Sequence, residues 1–190
     1  MKILGVDPGS EKTGWGVIDV ARGACRLVEF GVVRSSPRER FSKRLLNIAE
    51  GLEAVIARHE PEVCSVEETF FAVNVKTALK LGQVRGAILL TAERSGLKVF
   101  EYAPRLVKQT VVGYGAAEKH QVGEMVRLLL NLPDTPQPHD ASDALAIAIC
   151  HLHHANSAAG INLLTTRSSR RPKRMTMADI ATAVRRRAAR

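Results

Sequence analysis

Two aspartates, Asp140 and Asp143, stand three apart where the apolar run DASDALAIAI begins. On a helix such residues share a face, with Cβ atoms roughly 5–6 Å apart, a spacing suited to bracketing a hard divalent cation. The same pair also suits capping, with Asp140 as the N-cap and Asp143 at the third helical position, both favoured by the helix dipole. Three more acids close apolar runs. Asp7 ends KILGV before Pro8-Gly9, where the competing reading is an Asx turn. Glu67 and Glu68 end EVCSV, where the competing reading is ordinary exposure at a strand end. Carboxylates from two strand ends and one helix start can face a single rim of a sheet. Four of them gathered there would raise one another's pKa unless a cation neutralised them. Oxygen donors of this kind favour Mg²⁺ or Mn²⁺. Two such ions about 3.5–4 Å apart can activate a water and stabilise the leaving oxygen in phosphodiester hydrolysis.

These acids need strands that end together and a helix that meets them. KILGVDPG, TGWGVIDV and ACRLVEFGVV read as an antiparallel meander over the first 35 residues. Apolar positions at helical spacing from about Pro37 to His59 predict a helix, and EVCSVE predicts a short strand bounded by Pro61. VKTALKLGQVRGAILLTAERSG predicts a long helix closed by Gly96, LKVFEYAP a strand stopped by Pro104, and GEMVRLLLNL a helix ended by Pro133. The last helix is expected from Asp140 to about His154, followed by the linker ANSAAG. Together these give a mixed five-stranded sheet flanked by helices, an α/β fold.

The 190 residues suit one folded body, and a chain of this size buries roughly 70% of its unfolded surface. The net charge of +9 is concentrated: residues 165–190 hold nine Arg/Lys against Asp179 alone, leaving 19 basic and 18 acidic residues in 1–164. DNA binding by the body would therefore need a local basic surface rather than a global field. The expected division is a domain over 1–155 and a flexible linker with a basic tail over 156–190, in which Met177, Ile180 and Val184 share one helical face. Cys25, Cys64 and Cys150 are odd in number and form no CxxC pair, against both a zinc ribbon and a disulfide framework. No apolar run approaches the ~20 residues of a membrane span and no signal-peptide core precedes Asp7, so a cytoplasmic protein is expected. In HLHH, the imidazoles of His151, His153 and His154 end a helix without partners at zinc-site spacing, which favours a structural role.

In order and spacing, ILGVDPGSEKTGWGVI, SVEETFFAVNVKTALKLGQVRGA, EYAPRLVKQTVVGYGAAEK and HDASDALAIAI closely resemble RuvC, the bacterial Holliday junction resolvase family, over roughly residues 1–155. The resemblance implies a ribonuclease H-like, retroviral-integrase-like fold with helices on both faces of the sheet. It implies a crossover junction endodeoxyribonuclease that nicks two strands symmetrically, leaving 5′-phosphate and 3′-hydroxyl ends. The family's metal-binding, catalytic acids fall on Asp7, Glu67, Asp140 and Asp143, so the resemblance selects Glu67 over Glu68. Its base-contacting phenylalanine falls on Phe70, for which the competing reading is core, and its two backbone-contacting lysines fall on Lys108 and Lys119. Arg105 can add to the same basic surface. The resemblance also implies a homodimer acting on a four-way DNA junction, with KTALKLGQVRGAILL in the dimer-forming region, and partners of the RuvA and RuvB branch-migration type. Two other readings compete. GVDPGSEKTGWG also resembles the phosphate-binding hairpin of actin-like and sugar-kinase-like ATPases, although 190 residues with one such hairpin are short for that class. A non-catalytic junction-binding protein follows if the acids only cap and turn.

Overall fold

The computed structural model describes residues 1–21, 24–68 and 74–167, with side chains to 155. The chain divides into two compact units, Met1–Ala155 and Asn156–Arg190. In the first, β1 (Lys2–Asp7), β2 (Lys12–Ala21) and β3 (Ala24–Arg34) form the expected meander. α1 (Phe41–His59), β4 (Val63–Glu67), α2 (Val75–Arg94), β5 (Lys98–Tyr102), α3 (Pro104–Val112), α4 (Lys119–Leu129) and α5 (His139–Arg167) follow. The sheet order is β3-β2-β1-β4-β5, with β4 parallel to both β1 and β5.

The strand alternation divides the core. Ile3 and Ile18 face one layer, with Val107 and Val111 of α3, Val122 and Val126 of α4, and the apolar run of α5. Leu4, Val6 and Val17 face the other, against Ile48 and Leu52 of α1 and Val84 and Ile88 of α2. Helices thus cover both faces. A side chain as fully buried as Leu4 or Ile48 contributes about 1.5–3 kcal/mol.

Four helices differ from expectation. α1 opens at Phe41 because Ser36–Glu39 is spent in a turn, with the Glu39 N–H donating to the Ser36 carbonyl at 3.1 Å. α3 was not expected, since Pro104 was read as a strand stop; it is instead the first helical residue, where its fixed φ and missing N–H are harmless. α4 opens at Lys119 rather than Gly123 because Glu118 and Gln121 form a capping box, with glutamate in the place usually held by serine or threonine. α5 starts at His139, so Asp140 lies inside its first turn rather than at the N-cap. The same helix runs through ANSAAG, expected to be linker, to Arg167. The alanines there favour helix, and Gly160 alone does not end it. The amphipathic face at Met177, Ile180 and Val184 lies outside the described residues.

Among the described residues, no helix is long and apolar enough to cross a membrane. His151 has the structural role expected: it is buried, its Nδ1 lies 2.8 Å from the Tyr102 hydroxyl, and burial lowers its pKa. All three cysteines are free.

Candidate active site

Asp7 is the last residue of β1 and Glu67 the last of β4. Because these strands are parallel neighbours, their C-terminal ends deliver both carboxylates to the same rim of the sheet. Asp140 and Asp143 come to that rim on α5, and glycine is what lets them approach. A Cβ on Gly14, the residue registered against Asp7, would lie 1.9 Å from the Asp140 carbonyl oxygen. One on Gly5 would lie 2.0 Å from the Ala144 carbonyl oxygen. The first turns of α5 therefore rest directly on strand backbone, and Leu145 fills the space above Gly16.

Asp7, Glu67 and Asp143 line a cleft of about 220 Å³ together with Lys108 of α3 and Lys119 of α4. Pro104, Val107, Val122 and Ala146 complete its walls. The apolar walls have an electrostatic effect. Burial first, then repulsion from Glu67 and Asp143, pushes the Asp7 carboxyl from 3.8 up to about 8, with Lys119 pulling the other way and Asp140 adding least. Burial and Asp143 push Glu67 from 4.5 up to about 7 against Lys119 and Lys108. The Lys119 ammonium donates to Asp143 Oδ2 at 3.0 Å, and this bond raises the lysine's own pKa. Three carboxyls thus face two lysines, and the raised pKa values of Asp7 and Glu67 reflect the cost of ionising all three at once.

The other expected site residues are placed less centrally. Glu68 does not line the cleft; its N–H donates to the Tyr102 carbonyl at 2.9 Å. Asp140 acts on Asp7 from outside the cleft lining. Arg105 is exposed near the start of α3, its Cγ where a Cβ on Gly115 would otherwise sit, and it does not line the cleft. Phe70 lies outside the described residues. The walls at Pro104, Val107 and Val122 were not anticipated; Pro at a first helical position and apolar spacing in RLVKQTVV were the signals available.

The donor set suits a hard divalent cation: it is all oxygen, partly buried, and burdened by its own repulsion. Among the described residues, no group of three or more His, Cys, Asp and Glu side chains is assembled as it stands to hold an ion. Lys119 occupies the approach to Asp143 instead.

Comparison with known proteins gives a consistent result. Residues 3–151 match the family model described as crossover junction endodeoxyribonuclease RuvC. The chain is 49% identical over 155 residues to the crossover junction endodeoxyribonuclease RuvC of Chloroflexus aggregans, covering 82% of this chain and 94% of that one. It is 51% identical over 154 residues to the protein of the same name from Koribacter versatilis, covering 80% and 93%. The structure of T. thermophilus RuvC in complex with Holliday junction substrate superposes with a TM-score of 0.78 at 38% identity, covering 83% of this chain and 96% of that one. The yeast mitochondrial Holliday junction resolvase Ydc2, at 13% identity and TM-score 0.55, shares the fold. The ATPase and non-catalytic readings find no support in these likenesses.

Proposed function

Because this chain belongs to the RuvC family of crossover junction endodeoxyribonucleases, we propose that Asp7, Glu67, Asp140 and Asp143 form the hydrolytic site with which it resolves four-way DNA junctions. Its ribonuclease H-like fold and endonuclease class follow from that membership. The observation that carries the site assignment is the shared cleft of strand-borne and helix-borne acids, in which Asp7 and Glu67 are pushed up to about 8 and about 7.

Family members depend on divalent metal, and the four acids would hold Mg²⁺ or Mn²⁺, two ions in our reading. When bound, such ions supply Lewis-acid stabilisation of charge on the attacking and leaving oxygens and make water a better nucleophile at neutral pH. The chain's own groups supply the rest. Asp7 and Glu67, fixed at strand ends, set the floor of the cleft, while Lys108 and Lys119 attract the scissile phosphodiester and its neighbours. Val107, Val122 and Ala146 limit water at the floor and strengthen every charge interaction there. Phe70 is assigned to a base at the crossover, where aromatic stacking is worth about 1–3 kcal/mol. Arg105 is assigned to backbone phosphate beside the cleft.

Two symmetric nicks need two sites, and we assign the dimer contact to the outer face of α2. Val75, Leu79 and Leu90 are 73%, 65% and 61% exposed there. A Cβ on Gly82 or Gly86, on the same face, would meet nothing within 4 Å, leaving room for a second helix. Proteins of the RuvA and RuvB type are the proposed branch-migration partners, and the cytoplasm the proposed compartment. Residues 1–155 are proposed as the nuclease domain.

The test incubates purified protein with a synthetic four-way junction and with linear duplex, with and without Mg²⁺ or Mn²⁺. Paired symmetric nicks are expected on the junction alone, with ends that carry 5′-phosphate. They should vanish in Asp7→Asn, Asp143→Asn and Glu67→Gln while junction binding survives, whereas Glu68→Gln should retain cleavage. Binding without metal-dependent nicking would refute the assignment of the acids.

A further inference from the structure

α1 carries an arginine on its buried stripe, one turn before Ile48 and two before Leu52. Arg44 is 5% exposed, and its guanidinium turns toward the β1–β2 hairpin rather than toward water. Its Nε donates to the Ser10 carbonyl at 3.0 Å, and its Nη2 donates to the same oxygen. Ser35, at the end of β3, donates its hydroxyl to that oxygen at 3.0 Å, and its N–H donates to the Glu11 carbonyl at 3.0 Å. Two residues along, the Thr13 hydroxyl donates to the Gly9 carbonyl at 2.8 Å. The hairpin DPGSEK, which begins at Asp7, is thus tied at Ser10 to α1 and to the end of β3, at Glu11 to the end of β3, and at Gly9 to its own strand β2.

A buried guanidinium is an expensive way to hold one neutral carbonyl. Its nearest carboxylate oxygen, on Glu11, is 3.9 Å away on a side chain that is 59% exposed. The ring of Phe41 lies 5.6 Å below it and gives it a further face to rest on. Nor does Arg44 act on the site by its field: the charges that shift Asp7 are Glu67, Asp143, Lys119 and Asp140. What it reaches is backbone, three residues beyond Asp7 in a turn too tight to relax locally. A Cβ on Gly9 would lie 2.0 Å from the Lys12 carbonyl oxygen.

We propose that Arg44 is a positioning residue for the reaction: by clamping the Ser10 carbonyl it fixes where the hairpin leaves β1 and so holds Asp7 in its metal-binding position. This rests on the reading of Asp7 as a metal ligand. Groups that orient a ligand from behind are worth about 10–100-fold in metal affinity or activity.

The test measures Mn²⁺ affinity of the DNA-free protein, junction Kd, single-turnover nicking and thermal midpoint for the wild type, Arg44→Met, Arg44→Lys and Ser35→Ala. All are measured well below the lowest midpoint. Arg44→Met should lower nicking and Mn²⁺ affinity about 10–100-fold with junction Kd within about threefold. Arg44→Lys, which keeps one donor to the carbonyl, should recover part of the loss, and Ser35→Ala should show a smaller loss of the same kind. A merely structural arginine would lower the midpoint and leave Mn²⁺ affinity and nicking per folded molecule at wild-type values, and that result overturns the proposal. If Arg44→Met does not fold, Arg44→Lys and Ser35→Ala decide by the same readouts. If the wild type nicks but Asp7→Asn leaves Mn²⁺ affinity unchanged, the reading of Asp7 fails instead.

Discussion

Asp7→Asn should abolish cleavage and at the same time stabilise the metal-free protein, by an amount that depends on pH. The carboxyl titrates near 3.8 when unfolded and at about 8 when folded. Between those values the folded state holds the proton that the unfolded state has released, so stability falls as pH rises through this window. Below pH 4 both states are protonated and the acid is harmless. Above pH 8 both are ionised, and the fold carries the whole penalty. The span from 3.8 to about 8, at about 1.36 kcal/mol per pH unit, sets an upper limit of roughly 5–6 kcal/mol. Solvent at the rim screens part of this, some of the repulsion is shared with Glu67, and the asparagine amide still loses water. The gain expected in EDTA at pH 9 is therefore about 2–4 kcal/mol, shrinking to near zero at pH 4. Urea unfolding followed by circular dichroism at the two pH values, with matched m-values, measures it. Mg²⁺ at about 1,000 times its Kd should close this gap, since it stabilises the wild type by about 4.1 kcal/mol and the variant lacks a carboxylate with which to bind it. An Asp7→Asn variant no more stable than wild type at pH 9, or equally stabilised at both pH values, would refute the electrostatic reasoning.

Three further outcomes are expected. Lys119→Met removes the ammonium that competes for Asp143; an exposed pair is worth about 0–1 kcal/mol, so Mn²⁺ affinity of the DNA-free protein should rise up to about fivefold while junction affinity falls, as calorimetry and gel shift will show. Gly14→Ala forces a methyl against the Asp140 carbonyl, which should destabilise by about 1–3 kcal/mol or more and reduce nicking at least tenfold at temperatures where the variant is folded; wild-type nicking would show that α5 need not sit so close. Leu79→Glu with Leu90→Glu should yield a monomer in analytical ultracentrifugation and convert paired nicks to unpaired ones, and a persistent dimer would move the interface away from α2.

The acids were legible because each stands at a boundary between an apolar run and a turn, and such boundaries fall at the edges of a sheet. Asp7 and Glu67 needed only the parallel pairing of β1 with β4 to become neighbours, whereas Asp143 also needed α5 to pack on Gly5 and Gly14. What stayed hidden depends on distance along the chain. Lys119 is 24 residues from Asp143, and its chemistry alone gave no sign that it would pair with an acid rather than meet phosphate directly. Arg44 shares its stripe with Ile48 and Leu52, but its charge argued for solvent, and only the fold shows the Ser10 carbonyl it meets. α3 was lost to one ambiguous residue, since Pro104 both ends a strand and opens a helix. Gly5 and Gly14 resemble ordinary β-strand glycines until α5 is laid across them.

That contact has a thermal consequence. Side-chain packing loosens as a protein warms, because rotamers hop and neighbours drift, and a catalytic constellation held by such packing blurs well before its fold melts. The backbone that carries the carboxylates of α5 is set against the strands by direct contact, with no rotamer between Gly14 and the Asp140 carbonyl to soften. Their spacing should stay constant up to the melting transition itself. The rate of cleavage should therefore climb smoothly with temperature and end abruptly, at the same point where the helices unfold.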